Sequence, residues 1–205
     1  NVSLTESHWT LKEASRTWAF WLLFFAGSSQ SLISTALVFH HVSLFATRDL
    51  SAGLAAAALT LMAMVAFVST LIAGVLTDRF PNRYVLALGQ VVMIGAMGWT
   101  FVIAAPWQAM VYGVLLGMAG GVFITTTTVI WPNYFGRKHI GSIRGVATTS
   151  MVAFAALGPM PFGILFDLTG GYSIAIGAAM VLPIACAIAS MLAIPPSKSY
   201  GSIRS

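Results

Sequence analysis

Charge is scarce in this sequence. Asp, Glu, Lys and Arg make up only 7% of its 205 residues. A soluble domain carries about 25%, so a soluble fold is excluded. Acid is rarer than base: five Asp and Glu stand against ten Lys and Arg. No charge falls inside the long apolar stretches, so no paired carboxylates are available there for acid–base chemistry. There is one cysteine, Cys186, and hence no internal disulfide. CxxC, HExxH, P-loop and GxGxxG-plus-acid patterns are all missing. An enzyme has no residues to stand on, and no metal and no cofactor are expected. A signal peptide is not apparent either: the first apolar stretch is too long and lacks a small-residue cleavage site. The chain opens on Asn1 and not on Met, and a piece of something longer is expected.

What is abundant is apolar surface. The sequence is 58% hydrophobic with a mean hydropathy of +0.89. About 20 apolar residues cross a bilayer as a helix, and backbone groups in lipid must bond within that helix. Six such stretches are present, at about residues 18–40, 54–76, two within 84–136, 146–166 and 172–194. The shared run is broken at Ala105-Pro106-Trp107-Gln108, where Pro106 is expected to end a helix and Trp107 to anchor at the interface. Pro195-Pro196 stops the last span. The expected organisation is a cytoplasmic segment 1–17, a six-helix domain 18–194 and a cytoplasmic tail 195–205.

Orientation follows from the cations. Lys12, Arg16, Arg79, Arg83, Arg137, Lys138, Arg144, Lys198 and Arg204 all fall on one side, and only Arg48 on the other. This positive-inside bias predicts both termini in the cytoplasm and, with it, a plasma-membrane protein. It also accounts for the net charge of +5 without nucleic acid as a partner.

An internal repeat adds architecture. Gly74-Val-Leu-Thr-Asp78 recurs as Gly163-Ile-Leu-Phe-Asp167, offset by 89 residues. Each copy ends the middle helix of a triplet. Three is odd, so the two triplets have opposite orientation, and inverted repeats mark secondary transporters. Coincidence in apolar, low-complexity sequence is the competing account. The predicted fold class is all-α and polytopic, six helices as a 3+3 inverted repeat.

Several motifs carry a family resemblance. The turn Gly74-Val-Leu-Thr-Asp78-Arg79-Phe-Pro-Asn-Arg83 is similar to the signature loop of the major facilitator superfamily, although Pro81-Asn82 stand where Gly is more usual. Phe39-His-His-Val-Ser-Leu-Phe45, the stretch from Tyr134 to Gly145, and Leu157-Gly-Pro159 followed by Gly163–Asp167 resemble the oxalate/formate antiporter and monocarboxylate transporter branch. The resemblance implies the C-terminal six of twelve helices, paired with an N-terminal half. It implies alternating access for a small organic solute, a mono- or dicarboxylate, by antiport or proton symport. That branch also commonly places a cation in the second and fifth helices of this half. Residues 54–76 and 146–166 contain no Lys or Arg, so the other half supplies the cation or the solute is not a simple anion. A reading of another class stays open: a six-helix structural or regulatory membrane module that transports nothing.

Candidate residues lie on the polar faces. Gly27, Ser31, Ser34, Val38 and His41 share one face of the first helix. Ser31, Ser34 and His41 are candidates for substrate binding, with Thr125 and Thr126 of the Thr125–Thr128 run across from them. Close packing by small residues, with Ser bonded to its own helix, explains the same face. His40 and His41 point about 100° apart and do not chelate a metal as a pair. They are either proton-sensitive groups at the outer mouth or interfacial anchors. Gln90 reads as an interhelical hydrogen bond. Gly113, Gly117, Gly120 and Gly121 permit close backbone approach. Gly158-Pro159-Met160-Pro161 lacks two N–H donors and predicts a bend. The expected gate is Asp78 with Arg79, Arg83, Arg137 and Arg144, because an acid at a helix C-terminus needs a cation to offset the helix dipole.

Overall fold

The computed structural model describes residues 8–197. Residues 1–7 and 198–205, with Lys198, Arg204 and most of the expected tail, lie outside the described residues. The elements in order are α1 (Leu11–Ala14), α2 (Trp18–Phe39), α3 (His41–Ala46), α4 (Ala52–Arg79), α5 (Asn82–Trp99), a 3-10 turn (Thr100–Val102), α6 (Pro106–Phe135), α7 (Ile140–Leu157), α8 (Pro159–Thr169), α9 (Ser173–Ala179) and α10 (Val181–Leu192). They make six spans, with α7–α8 as the fifth and α9–α10 as the sixth.

Proline explains the irregularities. Pro106 does not end a helix, as expected from sequence, but begins one: it sits at the first position of α6, where a missing N–H costs nothing. The fifth span breaks at Gly158 because Pro159 and Pro161 cannot donate to the preceding turn. The sixth breaks at Met180, three residues before Pro183, for the same reason. Two short helices were not legible in the hydropathy. α1 is closed by a capping box in which the Thr10 hydroxyl accepts from Glu13 N–H and the Glu13 carboxylate accepts from Thr10 N–H. α3 continues the first span past its outer end.

The packing obeys the repeat. α4 packs on α6, and α7 packs on α2; exchanging the triplets turns one contact into the other. Likewise α5 lies on α6 as α10 lies on α2, and α5 and α10 meet each other. The result is a core of four spans (α2, α5, α6 and α9–α10) with α4 and α7–α8 as flanking outriggers. Only 11% of the most apolar stretch of each outrigger is buried, against 33–50% in the other four.

Lipid supplies no hydrophobic force between helices, so contact rests on close packing. Gly113, Gly117 and Gly121 of α6 let α4 approach backbone to backbone. A Cβ on Gly113 would lie 2.6 Å from the Ala58 carbonyl oxygen, and one on Gly117 2.5 Å from that of Met62. Ala66 blocks Gly121 in the same way. On the other side Gly27 meets Met151, the repeat counterpart of Met62. Buried aromatics Phe20, Trp131 and Phe135 fill one end of the core; Ile33, Met93, Met97 and Tyr112 fill the other.

Alternation of the spans gathers the charges. Tyr134 Oη donates to the Ala193 carbonyl (2.7 Å), and Trp9 N–H to that of Phe135 (3.0 Å). These bonds draw α1, the α6–α7 loop and the C-terminal end of α10 to one end, where the α4–α5 turn lies beside Tyr134 and Pro195. Lys12, Arg16, Arg79, Arg83, Arg137, Lys138 and Arg144 share that end, and Arg48 stands alone at the other among the described residues.

Candidate functional site

On α2, Ser31 and Ser34 are half-buried and keep partial access. Ser28, not singled out from sequence, is the committed serine: its hydroxyl lies 2.7 Å from that of Ser150 and joins α2 to α7. His41 is not on an accessible face. It is fully buried, its Nε2–H donates to the Ala55 carbonyl (3.2 Å), and its ring stacks on Tyr112 at 5.5 Å. Burial lowers its pKa, and the bond to Ala55 opposes that in part. His41 belongs to the core because α3 turns it under the outer end of α4.

His40 is the histidine with access. Its Nε2–H donates to the Pro159 carbonyl (2.9 Å), and its Nδ1 lies 3.0 Å from Tyr172 Oη. Tyr172 Oη in turn lies 2.9 Å from Ser43 Oγ. One side chain therefore ties the end of the first span to the bend of the fifth and the start of the sixth. The Gly158-Pro159 break marks the place in the sequence, but the carbonyls that Pro159 and Pro161 leave without an i+4 donor are those of Ala155 and Leu157, so the bond to the Pro159 carbonyl was not legible from it.

The threonine run divides. Thr126 is fully buried and donates to Val122 O (2.7 Å), so it lies inside the half and not across an opening from Ser31. Thr125 donates to Gly121 O (3.1 Å) and to Thr70 O (3.2 Å), extending the glycine seam by one turn. Thr127 is half-buried and Thr128 exposed. All four hydroxyls bond back to their own helix, which satisfies each donor without a neighbour. Gln90 is buried, and its amide has no partner among the described residues, contrary to the interhelical bond expected of it.

At the cation-rich end, Asp78 and Arg79 are exposed at the close of α4. Arg83 donates to Tyr84 Oη (3.1 Å) and lies 4.8 Å over that ring. Arg137 and Arg144 are exposed. No ion pair joins Asp78 to any of them among the described residues. A cleft of about 420 Å³ opens beside Arg83, walled by Asn82, Asn133, Tyr134 and Pro195. At the opposite end Arg48 reaches the carbonyls of Thr100 (3.4 Å) and Ile103 (3.5 Å). It offsets the negative pole of α5, which explains a lone cation there.

A transmembrane half built from two inverted triplets is a family architecture, and the sequence profile agrees. The profile of the Major Facilitator Superfamily matches residues 17–204. The chain belongs to the major facilitator superfamily. Members of this superfamily are transporters and not enzymes. No curated protein matches the sequence.

Proposed function

We propose that this chain is the C-terminal half of a secondary active transporter, moving a small organic solute by alternating access. The observation that carries the proposal is the uncovered pair of outriggers, α4 and α7–α8. Four spans bury each other, while these two offer long faces to a second six-helix half. The solute path then lies between halves, where the half-exposed Ser31, Ser34 and Thr127 and the exposed Thr128 offer hydroxyls. A mono- or dicarboxylate is the solute class that the sequence resemblance favours. With no cation in either outrigger's interior, its charge partner comes from the other half. The cation-rich end faces the cytoplasm of a plasma membrane, with both termini inside. Asp78, Arg79, Arg83, Arg137 and Arg144 form the gate there.

Co-expression with a matching N-terminal half tests the proposal. Restored carboxylate uptake supports it. Stable folding of both halves with no uptake supports a non-transporting six-helix module instead.

A further inference from the structure

At the cation-rich end, α1 and α2 meet at a corner formed by Ser15, Arg16, Thr17, Trp18 and Trp21, which wall a cleft of about 340 Å³. The corner is built, not loose. Trp21 Nε1–H donates to the Ser15 carbonyl (2.8 Å), and the Thr17 hydroxyl donates to Ala14 O (2.7 Å) while it caps α2. α1 itself is pinned by Trp9, whose ring meets Phe135 edge-on at 6.2 Å. Arg16 is therefore held at a fixed place, exposed. The nearby carboxylate of Glu13 accepts from the Thr10 N–H (2.8 Å) and the Thr10 hydroxyl (2.9 Å).

The aromatic surface is the unexplained part. Trp18 is 83% exposed and Trp21 51%, and Phe25 continues the same face one turn deeper. Trp18 and Phe25 stand roughly 120–140° around α2 from Ser31, and Trp21 about 80°, so the face is turned away from the Ser31–Ser34 face. Indoles at a membrane surface sit at headgroup depth. An arginine beside them has the planar fork that grips phosphate. We infer that this corner binds the headgroup of an anionic phospholipid, with Arg16 on the phosphate, the indoles of Trp18 and Trp21 against the glycerol region, and an acyl chain along Phe25.

The test is native mass spectrometry of the full chain titrated with phosphatidylglycerol or phosphatidylcholine. The first lipid bound should be phosphatidylglycerol, retained about fivefold better than phosphatidylcholine, as one cation near a charged headgroup implies. Arg16→Gln should abolish that preference, and Arg144→Gln, an exposed cation outside the corner, should leave it intact. Trp21→Phe should weaken it by releasing the corner. Inorganic phosphate at millimolar concentration should not displace the lipid, because it lacks the chain that lies along Phe25. Unchanged retention in Arg16→Gln, equal loss in Arg144→Gln, or displacement by phosphate would each overturn the site. The readout involves no transport, so it stands or falls separately from the proposed function.

Discussion

Gly121 of α6 lies against Ser69 and the Ala66 carbonyl of α4; the offset of 89 takes Gly121 back to Leu32 and Ser69 forward to Gly158, and there Leu32 of α2 presents its carbonyl to Gly158 of the fifth span. The two crossings are one contact made twice, and the glycine has changed partner between them. In the first seam three glycines stand four residues apart on a continuous α6, and α4 runs unbroken for 28 residues. In the second the glycine sits at the break of α7 and α8, beside Pro159. Both seams achieve close approach. Only the second does so at a point where the helix has already lost hydrogen bonds. The comparison teaches that one outrigger is fastened as a rod and the other as a hinge.

The strongest way to break the comparison is to overfill both seams. Gly117→Leu drives a side chain into the Met62 carbonyl, Val65 and the backbone of Ala66. α4 has no joint to absorb this, and a loss of about 3 kcal/mol follows, at the upper end for overpacking. Gly158→Leu meets the Leu32 carbonyl, but the span can open at its bend, and a loss of about 1–2 kcal/mol is expected. Thermal unfolding of the two variants in detergent compares them directly. Equal losses would show that the bend confers no compliance.

A second test sharpens the hinge. The repeat counterpart of His40 is Val129, so the His40–Pro159–Tyr172 network exists in one seam only. His40→Ala removes two hydrogen bonds and should cost about 1–2 kcal/mol. Hydrogen exchange should rise in residues 155–163 and stay unchanged in 66–74, the matching stretch of α4. Equal protection in both stretches of the variant would dissociate His40 from the bend.

Sequence and structure agree where hydropathy speaks and part where azimuth matters. Six spans, the break near Pro106 and the gathering of cations need only the length and placement of apolar runs. The Gly-x-Leu-x-Asp repeat also proved structural: the offset of 89 maps Met62 onto Met151 and Asp78 onto Asp167. What stayed hidden is which side of a helix meets which neighbour. Thr125, Thr126, Thr127 and Thr128 reach every face, and pattern alone cannot say that Thr126 turns inward. His40 and His41 differ by one residue and about 100°, which puts one at the hinge and the other in the core. α1 went unseen because four residues give no usable period.

His41 provides a smaller, pH-dependent effect. Burial holds its pKa below the ordinary value, so in the window beneath about 6.5 the unfolded chain binds a proton that the folded chain does not. Its contribution is full above that value and is lost as pH falls. Stability should drop between pH 7.5 and 5.5, and His41→Gln should flatten that slope. An unchanged slope in the variant would move the pH dependence elsewhere.

The smallest effect on folding belongs to the paired acids. Asp78 and Asp167 occupy equivalent places near the C-terminal ends of the two outriggers, and both are exposed. Each sits near the negative pole of its helix, where an acid gains nothing from the dipole. Removing either charge should shift stability by no more than about 0.5 kcal/mol. The surroundings differ. Asp78 is followed by Arg79 in the α4–α5 turn at the cation-rich end, whereas Asp167 is followed by uncharged Leu168-Thr-Gly-Gly-Tyr172 at the other. Asp78 has no ion pair among the described residues, and one formed with a local arginine in another state of the transporter would be worth about 1 kcal/mol or less, too little to hold the fold but enough to bias two states of a gate several-fold. In the intact transporter, Asp78→Asn should therefore cut the transport rate while expression and insertion stay near normal, and Asp167→Asn should change neither. Transport assays on proteoliposomes with matched protein content separate these outcomes. Equal loss of transport in both variants would place the effect in the repeat and not in the gate, and failure of Asp78→Asn to insert would make the acid a folding residue.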